Sequence, residues 1–229
     1  MSQKLKSKGK IAFIVGLVIV FGLFFRIGLE KFFYKEPNAA ITPPINAKDE
    51  ADRLIQTASQ NFFYHEFDQA VENYKKAIAL FEERKSFKRA ARMYESIGDI
   101  YKFSRNTKEA KNTYLLAVEY HQKLHDKIGE GRSMKKIGEF YMERFQFNQA
   151  GEWFGKAVMK VRDSKPHVVK AKIYEAQGHY FLKTEQISKA LESFEHAKAT
   201  FDETGYPLGY DNISPMIQRL KRQQKRNPA

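Results

Sequence analysis

Two histidines four residues apart, His121 and His125, come closest in this sequence to a spacing that does chemistry. On a helix the two rings would share one side, where a pair of imidazoles can chelate a metal ion. A zinc centre needs a third ligand and usually a fourth, and the neighbouring Glu119 and Asp126 do not share that face cleanly. The pair therefore reads as partly exposed polar side chains, and no metal is expected. His65, His167 and His196 carry no partner signal. There is no glycine-rich phosphate loop, no HExxH and no nucleophile elbow. Carboxylates are abundant but interleaved with lysines, as on a solvated helix surface. The absence of cysteine removes thiol catalysis, thiolate zinc sites, disulfides and lipid attachment at cysteine. The expectation is a protein that is not an enzyme and carries no cofactor.

What remains is a chain built to bind. Its 229 residues suit one domain, or one domain with an extension, and 42% hydrophobic residues suffice for a packed core. The net charge is +13, but most of the excess lies outside the central body. Residues 1–48 carry a net +6 and residues 211–229 a net +4, leaving +3 for residues 49–210. A nucleic-acid-binding domain would hold its basic patch on the folded body, so nucleic acid is not the expected partner.

The amino terminus has its own reading. A basic tail over 1–10 precedes the run IAFIVGLVIVFGLFF, and the apolar stretch continues past Arg26 to Leu29. Residues 11–29 are long enough to span a bilayer, with Phe32, Phe33 and Tyr34 as an interfacial belt. The small-residue site Asn38-Ala39-Ala40 lies too far beyond the run to favour a cleaved signal peptide. Four lysines ahead of the span place the amino terminus in the cytoplasm. A single-pass protein is expected, with everything after the span extracytoplasmic, periplasmic if this is a bacterial inner membrane. Residues 30–48, which include PNAAITPPINAK, read as belt and stiff linker.

A repeat dominates the remainder. Gly98, Gly138 and Gly178 stand forty residues apart, with Ala58 forty before the first. Twelve residues after each comes alanine (Ala70, Ala110, Ala150, Ala190), then an aromatic four further on (Tyr74, Tyr114, Phe154, Phe194). Three residues later alanine returns at Ala77, Ala117, Ala157 and Ala197, and Tyr101, Tyr141 and Phe181 follow the glycines by three. Such a period marks a stack of supersecondary units, each too small to bury its own apolar stripe. The predicted pairs are 49–84, 88–125, 128–162 and 167–203. A basic amphipathic helix over 211–226 caps the end, begun by Ser214 and Pro215.

These residues resemble the tetratricopeptide repeat over about 49–203. The second and third copies match its pattern of Gly, Tyr, Ala, aromatic, Ala. The fourth has Phe181 for the Tyr, and the first has Ala58 and Asn61 in place of Gly and Tyr. All four lack the usual late proline, with Glu82, Gln122, Arg162 and Asp202 there. The period exceeds the usual spacing of about 34 and is similar to the lengthened form in G-protein-regulator scaffolds and Rap-type peptide sensors. The resemblance implies an all-α fold: an α-solenoid of four helical hairpins behind the transmembrane helix.

It also implies a peptide-binding groove lined by the first helix of each pair. With the glycine as the eighth position, the second, fifth and ninth face the groove. These are Arg92, Glu95 and Asp99, then Arg132, Lys135 and Glu139, then Lys172, Glu175 and His179; the first copy offers Asp52, Ile55 and Ser59. Recurring cations suit a protein or peptide partner with an acidic segment or C-terminal carboxylate. Alternatively, Arg92–Glu95 and Lys172–Glu175 pair with each other along their helices. A carboxylate-clamp pattern of Lys and Asn is not reproduced. The expected role is a membrane-tethered scaffold in envelope assembly, secretion, or pilus and motility machinery. The alternatives are a signalling-peptide sensor and an organelle import receptor with its array facing the cytosol. Phe62, Phe63, Tyr64 and Phe67 form a second, aromatic candidate surface.

Overall fold

The ring of Tyr114 packs onto Gly98 so closely that a Cβ there would stand 2.5 Å from it. Phe154 covers Gly138 and Phe194 covers Gly178 in the same way, at 2.8 and 2.7 Å. Each contact joins the two helices of one repeat. The glycine lets the backbones approach, and the aromatic sixteen residues on fills the space. In the first copy Ala58, fully buried, stands where the glycine would be, next to Tyr74.

The structure, a computed structural model, describes residues 49–226. Among these residues there are nine helices: α1 Glu50–Phe63, α2 Phe67–Glu83, α3 Phe87–Phe103, α4 Thr107–Lys123, α5 Lys127–Met142, α6 Phe147–Val161, α7 Val168–Lys183, α8 Ile187–Glu203 and α9 Pro207–Arg226. Each packs on its successor, and α5 also touches α7 directly. The core runs between the layers as a series of clusters. Phe81, Ile97 and Ile100 hold the first repeats together, Tyr114, Ile137 and Phe140 the middle, and Phe194, Phe201 and Ile213 the last.

Connections repeat at half the sequence period. His65, Lys85, Arg105, His125, Phe145, Glu185 and Gly205 all have φ between 52° and 63°, and all but one gap between them is twenty residues. After each, the next backbone N–H bonds the carbonyl five residues back, as in Glu66 to Asn61 at 2.8 Å and Ser86 to Phe81 at 2.7 Å. This left-handed closure satisfies carbonyls that a helix end would otherwise leave unpaired. The missing member would be at 165. There Pro166 occupies the donor position and has no N–H to give, so the motif cannot form. Residues 162–167 make a longer connection instead. Lys170 Nζ bonds the carbonyls of Arg162 and Ser164 at 2.7 and 2.8 Å, and His167 Nδ1 caps α7 by accepting from the Val169 N–H.

Two expectations are corrected. The last helix begins at Pro207, not at 211, and Pro215 lies inside it. Pro207 supplies the pre-set φ of a first helical position, while Pro215 falls on the exposed side, where water can reach the carbonyl it leaves unbonded. The buried stripe Ile213, Ile217 and Leu220 then seals the end of the stack against α8. The single-pass topology, cytoplasmic amino terminus and extracytoplasmic array, is also corrected: among the described residues no helix is long and apolar enough to cross a membrane. The 1–10 tail, the 11–29 span and the 30–48 linker all lie outside the described residues, and the topology rests on them.

Candidate functional site

The first helices α1, α3, α5 and α7 carry the candidate groove positions, and charge is distributed along them by a rule. Asp52 pairs with Arg89, Glu95 with Arg132 and Asp99 with Lys136, each partner thirty-seven residues on. Thirty-seven is one repeat less about one helical turn, which is the stagger between successive first helices. Lys102 and Glu143 add a further inter-repeat bond at 2.8 Å. The resulting ladder stitches repeat to repeat.

Arg132 bonds Glu95 through Nε, 2.8 Å from Oε2 and 3.1 Å from Oε1. Asp99 accepts from the Tyr114 hydroxyl at 2.7 Å as well as from Lys136. Burial and the Asp99 carboxylate both push the Tyr114 hydroxyl up, so it acts there as a permanent donor. Lys135 and Glu139 pair along α5 at 2.7 Å. His179 meets Phe194 edge-on with ring centres 5.1 Å apart. Arg92, Lys172 and Glu175 make no side-chain hydrogen bond or ion pair among the described residues, and Arg92 and Lys172 are exposed. The pairs Arg92–Glu95 and Lys172–Glu175 therefore do not form. Glu95 turns inward, across the repeat boundary.

A second feature lies beneath this face, where spacing alone misled. His121 is fully buried, not partly exposed, and His125 stands exposed at a left-handed turn, so the two rings do not converge. His121 sits between two carboxylates. Its Nε2 is 3.4 Å from Glu95, and its Nδ1 is 3.3 Å from Asp126, the residue thought not to share its face. The His121 and Asp126 atoms touch without hydrogen-bond geometry. Asp126 caps α5 through the Gly129 N–H at 3.0 Å and meets Lys88 at 2.9 Å. Gly129 lies against the imidazole, leaving no room for a Cβ. Close by, buried Glu130 takes bonds from Gln122 at 3.0 Å and Lys160 at 2.9 Å.

Burial would raise the Glu95 carboxyl, but bonds from His121, Arg132 and Ser133 outweigh it and hold the group at about 2. Burial opposes the charge on Asp126 too; the Gly129 N–H and the Lys88 ammonium hold that carboxyl below its usual range. A carboxylate held so low is a poor base, and Ser133 donates to it while closed from solvent. This cluster therefore acts as a fastening between α3, α4 and α5. The sequence signals that could have exposed it are the thirty-seven-residue complementarity of Glu95 with Arg132 and the glycine eight residues past His121.

The aromatic candidate surface divides. Phe62 and Phe67 are half-buried against Phe103, with ring centres 5.5 and 5.8 Å away, and His65 stacks on the same ring. Phe63 and Tyr64 are exposed.

The family model described as soluble NSF attachment protein, SNAP, matches residues 32–204. No curated protein matches the chain. Among solved structures, the apo form of RapI is similar at a TM-score of 0.62 with 14% identity, covering 77% of this chain and 49% of that one. A Rap protein complexed with Competence and Sporulation Factor is similar at 0.58 with 16% identity, covering 77% and 50%. Nearly identical TPR-like repeats of a putative kinesin light chain from Podospora anserina are similar at 0.50 with 12% identity, covering 76% and 96%. The chain spans about half the length of the Rap structures it matches. These likenesses establish a TPR-like helical-repeat fold.

Proposed function

The chain belongs to the soluble NSF attachment protein family, and on that premise we propose that it is a protein-binding scaffold without catalytic activity, whose first-helix face receives a segment of a partner protein. The observation that carries this reading is a contrast along one face. The ladder holds Glu95, Asp99, Arg132 and Lys136 in mutual pairs, while Arg92 and Lys172 keep exposed cationic heads with no partner among the described residues. Paired charges stiffen the face, and unpaired guanidinium and ammonium groups offer donors to a ligand carboxylate. An acidic or C-terminal carboxylate segment fits that pair. The likeness to a Rap protein solved in complex with Competence and Sporulation Factor supports a binding role by analogy. The expected role in envelope assembly or secretion rested on an anchored array and is not carried forward.

The test is photo-crosslinking of the full chain from groove positions 135 and 175, which leave Arg92 and Lys172 in place, with position 111 on α4 as a control. One partner captured at 135 and 175 and lost in R92A/K172A supports the groove. Equal capture from position 111 would overturn it.

A further inference from the structure

The last two turns of α9 present a charge pattern that neither the fold nor the groove uses. Arg219, Arg222 and Arg226 fall at i, i+3 and i+7, on one side of the helix, and together with Gln223 they line one surface depression. All three are exposed, and none has a hydrogen bond or ion pair among the described residues. From residue 212 to residue 226 there is no acid. Lys221 points elsewhere, paired with Glu195 of α8 at 2.7 Å. Gln224 bonds Ser188 at 3.2 Å, pinning this end of the helix to the start of α8. The stripe is therefore held in place.

Cations near a helix carboxyl end offset its dipole, but that effect falls off within the last turn, which Lys225 and Arg226 already serve. Arg219 and Arg222 stand above it and repel each other at i, i+3. Helix stability alone does not account for them.

We infer that the Arg219–Arg222–Arg226 stripe is a second docking surface, and that its occupant is an acidic helical segment of a partner protein. Charge complementarity selects that class. Carboxylates on a helix at matching spacing would face the three guanidinium forks over roughly 10 Å, and each fork can take a carboxylate bidentately. A membrane would need apolar side chains beside the cations, whereas the apolar stripe of α9 is buried against α8. A nucleic acid would need the basic surface to continue onto the body or to carry stacking rings. Instead α8 exposes Glu192 and Glu195, the latter bonded to Lys221.

Binding to the full chain would be measured with a helical peptide bearing glutamates at i, i+3 and i+7. Its glutamine counterpart, phosphatidylserine vesicles and a DNA duplex serve as comparison probes. R219Q/R222Q/R226Q is set against K75Q/K108Q/K111Q, which removes equal charge from exposed lysines on the second helices. The glutamate peptide is expected to lose affinity by about tenfold or more in the arginine variant and less than about twofold in the lysine variant. R219K/R222K/R226K, which keeps charge but not the fork, should recover only part of the loss. Equal losses in both variants would reduce the effect to net charge and overturn the proposal. Arginine-dependent binding of vesicles or duplex without binding of the peptide would overturn it as well. Circular dichroism confirms that each variant is folded.

Discussion

Arg132 of α5 reaches back thirty-seven residues to Glu95 of α3, its Nε 2.8 Å from Oε2, and Glu95 also borders the buried ring of His121 on α4. Three helices from two repeats meet at one carboxylate. Removing it leaves the largely buried Arg132 guanidinium beside the imidazole without its counter-ion. Glu95→Ala should cost about 3–5 kcal/mol in urea unfolding, far more than a surface pair. Arg132→Ala should be nearly as costly, and a double-mutant cycle should show strong coupling between them. A loss below about 1 kcal/mol would mean that the pair fastens nothing.

Acid stability should report on the same group. The folded Glu95 pKa of about 2 lies below its ordinary value of 4.5, so its contribution is complete above that ordinary value and fades as pH falls toward 2. The amount at stake is on the order of 3 kcal/mol. Urea midpoints for wild type should fall steeply between about pH 5 and pH 2. Glu95→Gln should start lower at neutral pH and fall less over that interval. Parallel curves would contradict the assignment.

Lys85 and Arg105 hold left-handed backbone at the turns, with φ of 55° and 62° and exposed side chains. The strain of that conformation exceeds the extra chain entropy that glycine loses on folding, for a net of about 0.5–1 kcal/mol. Lys85→Gly and Arg105→Gly should each raise the midpoint of thermal unfolding. Gly205→Ala, at φ 63°, should lower it.

Two helical glycines should respond in opposite directions. Gly98→Ala drives a methyl to within 2.5 Å of Tyr114 and should cost about 1–3 kcal/mol. Gly155, on α6, has nothing within 4 Å of where its Cβ would be, so Gly155→Ala should stabilise by about 0.5–1 kcal/mol. Calorimetry on the two variants separates packing glycines from incidental ones.

The repeat was legible because its signals are local. Gly98 with Tyr114 and Gly178 with Phe194 recur at fixed offsets, since each hairpin solves the same packing problem with the same two side chains. The break at 162–167 is legible in retrospect for an equally local reason, a proline where the turn needs an N–H. The start of α9 is hidden in the sequence because Ser214-Pro215 imitates a helix beginning, and only the packing of Gly209 and Ile213 onto α8 shows the helix already under way.

The candidate site was legible in position but not in pairing. Glu95, Asp99, Arg132, Lys135, Glu139 and Lys172 could be placed on the first helices from periodicity, because the direction of a side chain follows from helix geometry. Which charge meets which depends on the stagger between neighbouring helices, and no window of sequence contains it. That stagger carried Glu95 away from Arg92 to Arg132, turned His121 into the core against Gly129, and left Arg92 and Lys172 open. Local periodicity determines what folds into a helix and which face is apolar; the long-range fit of one helix on another decides which polar groups are consumed and which remain for a partner.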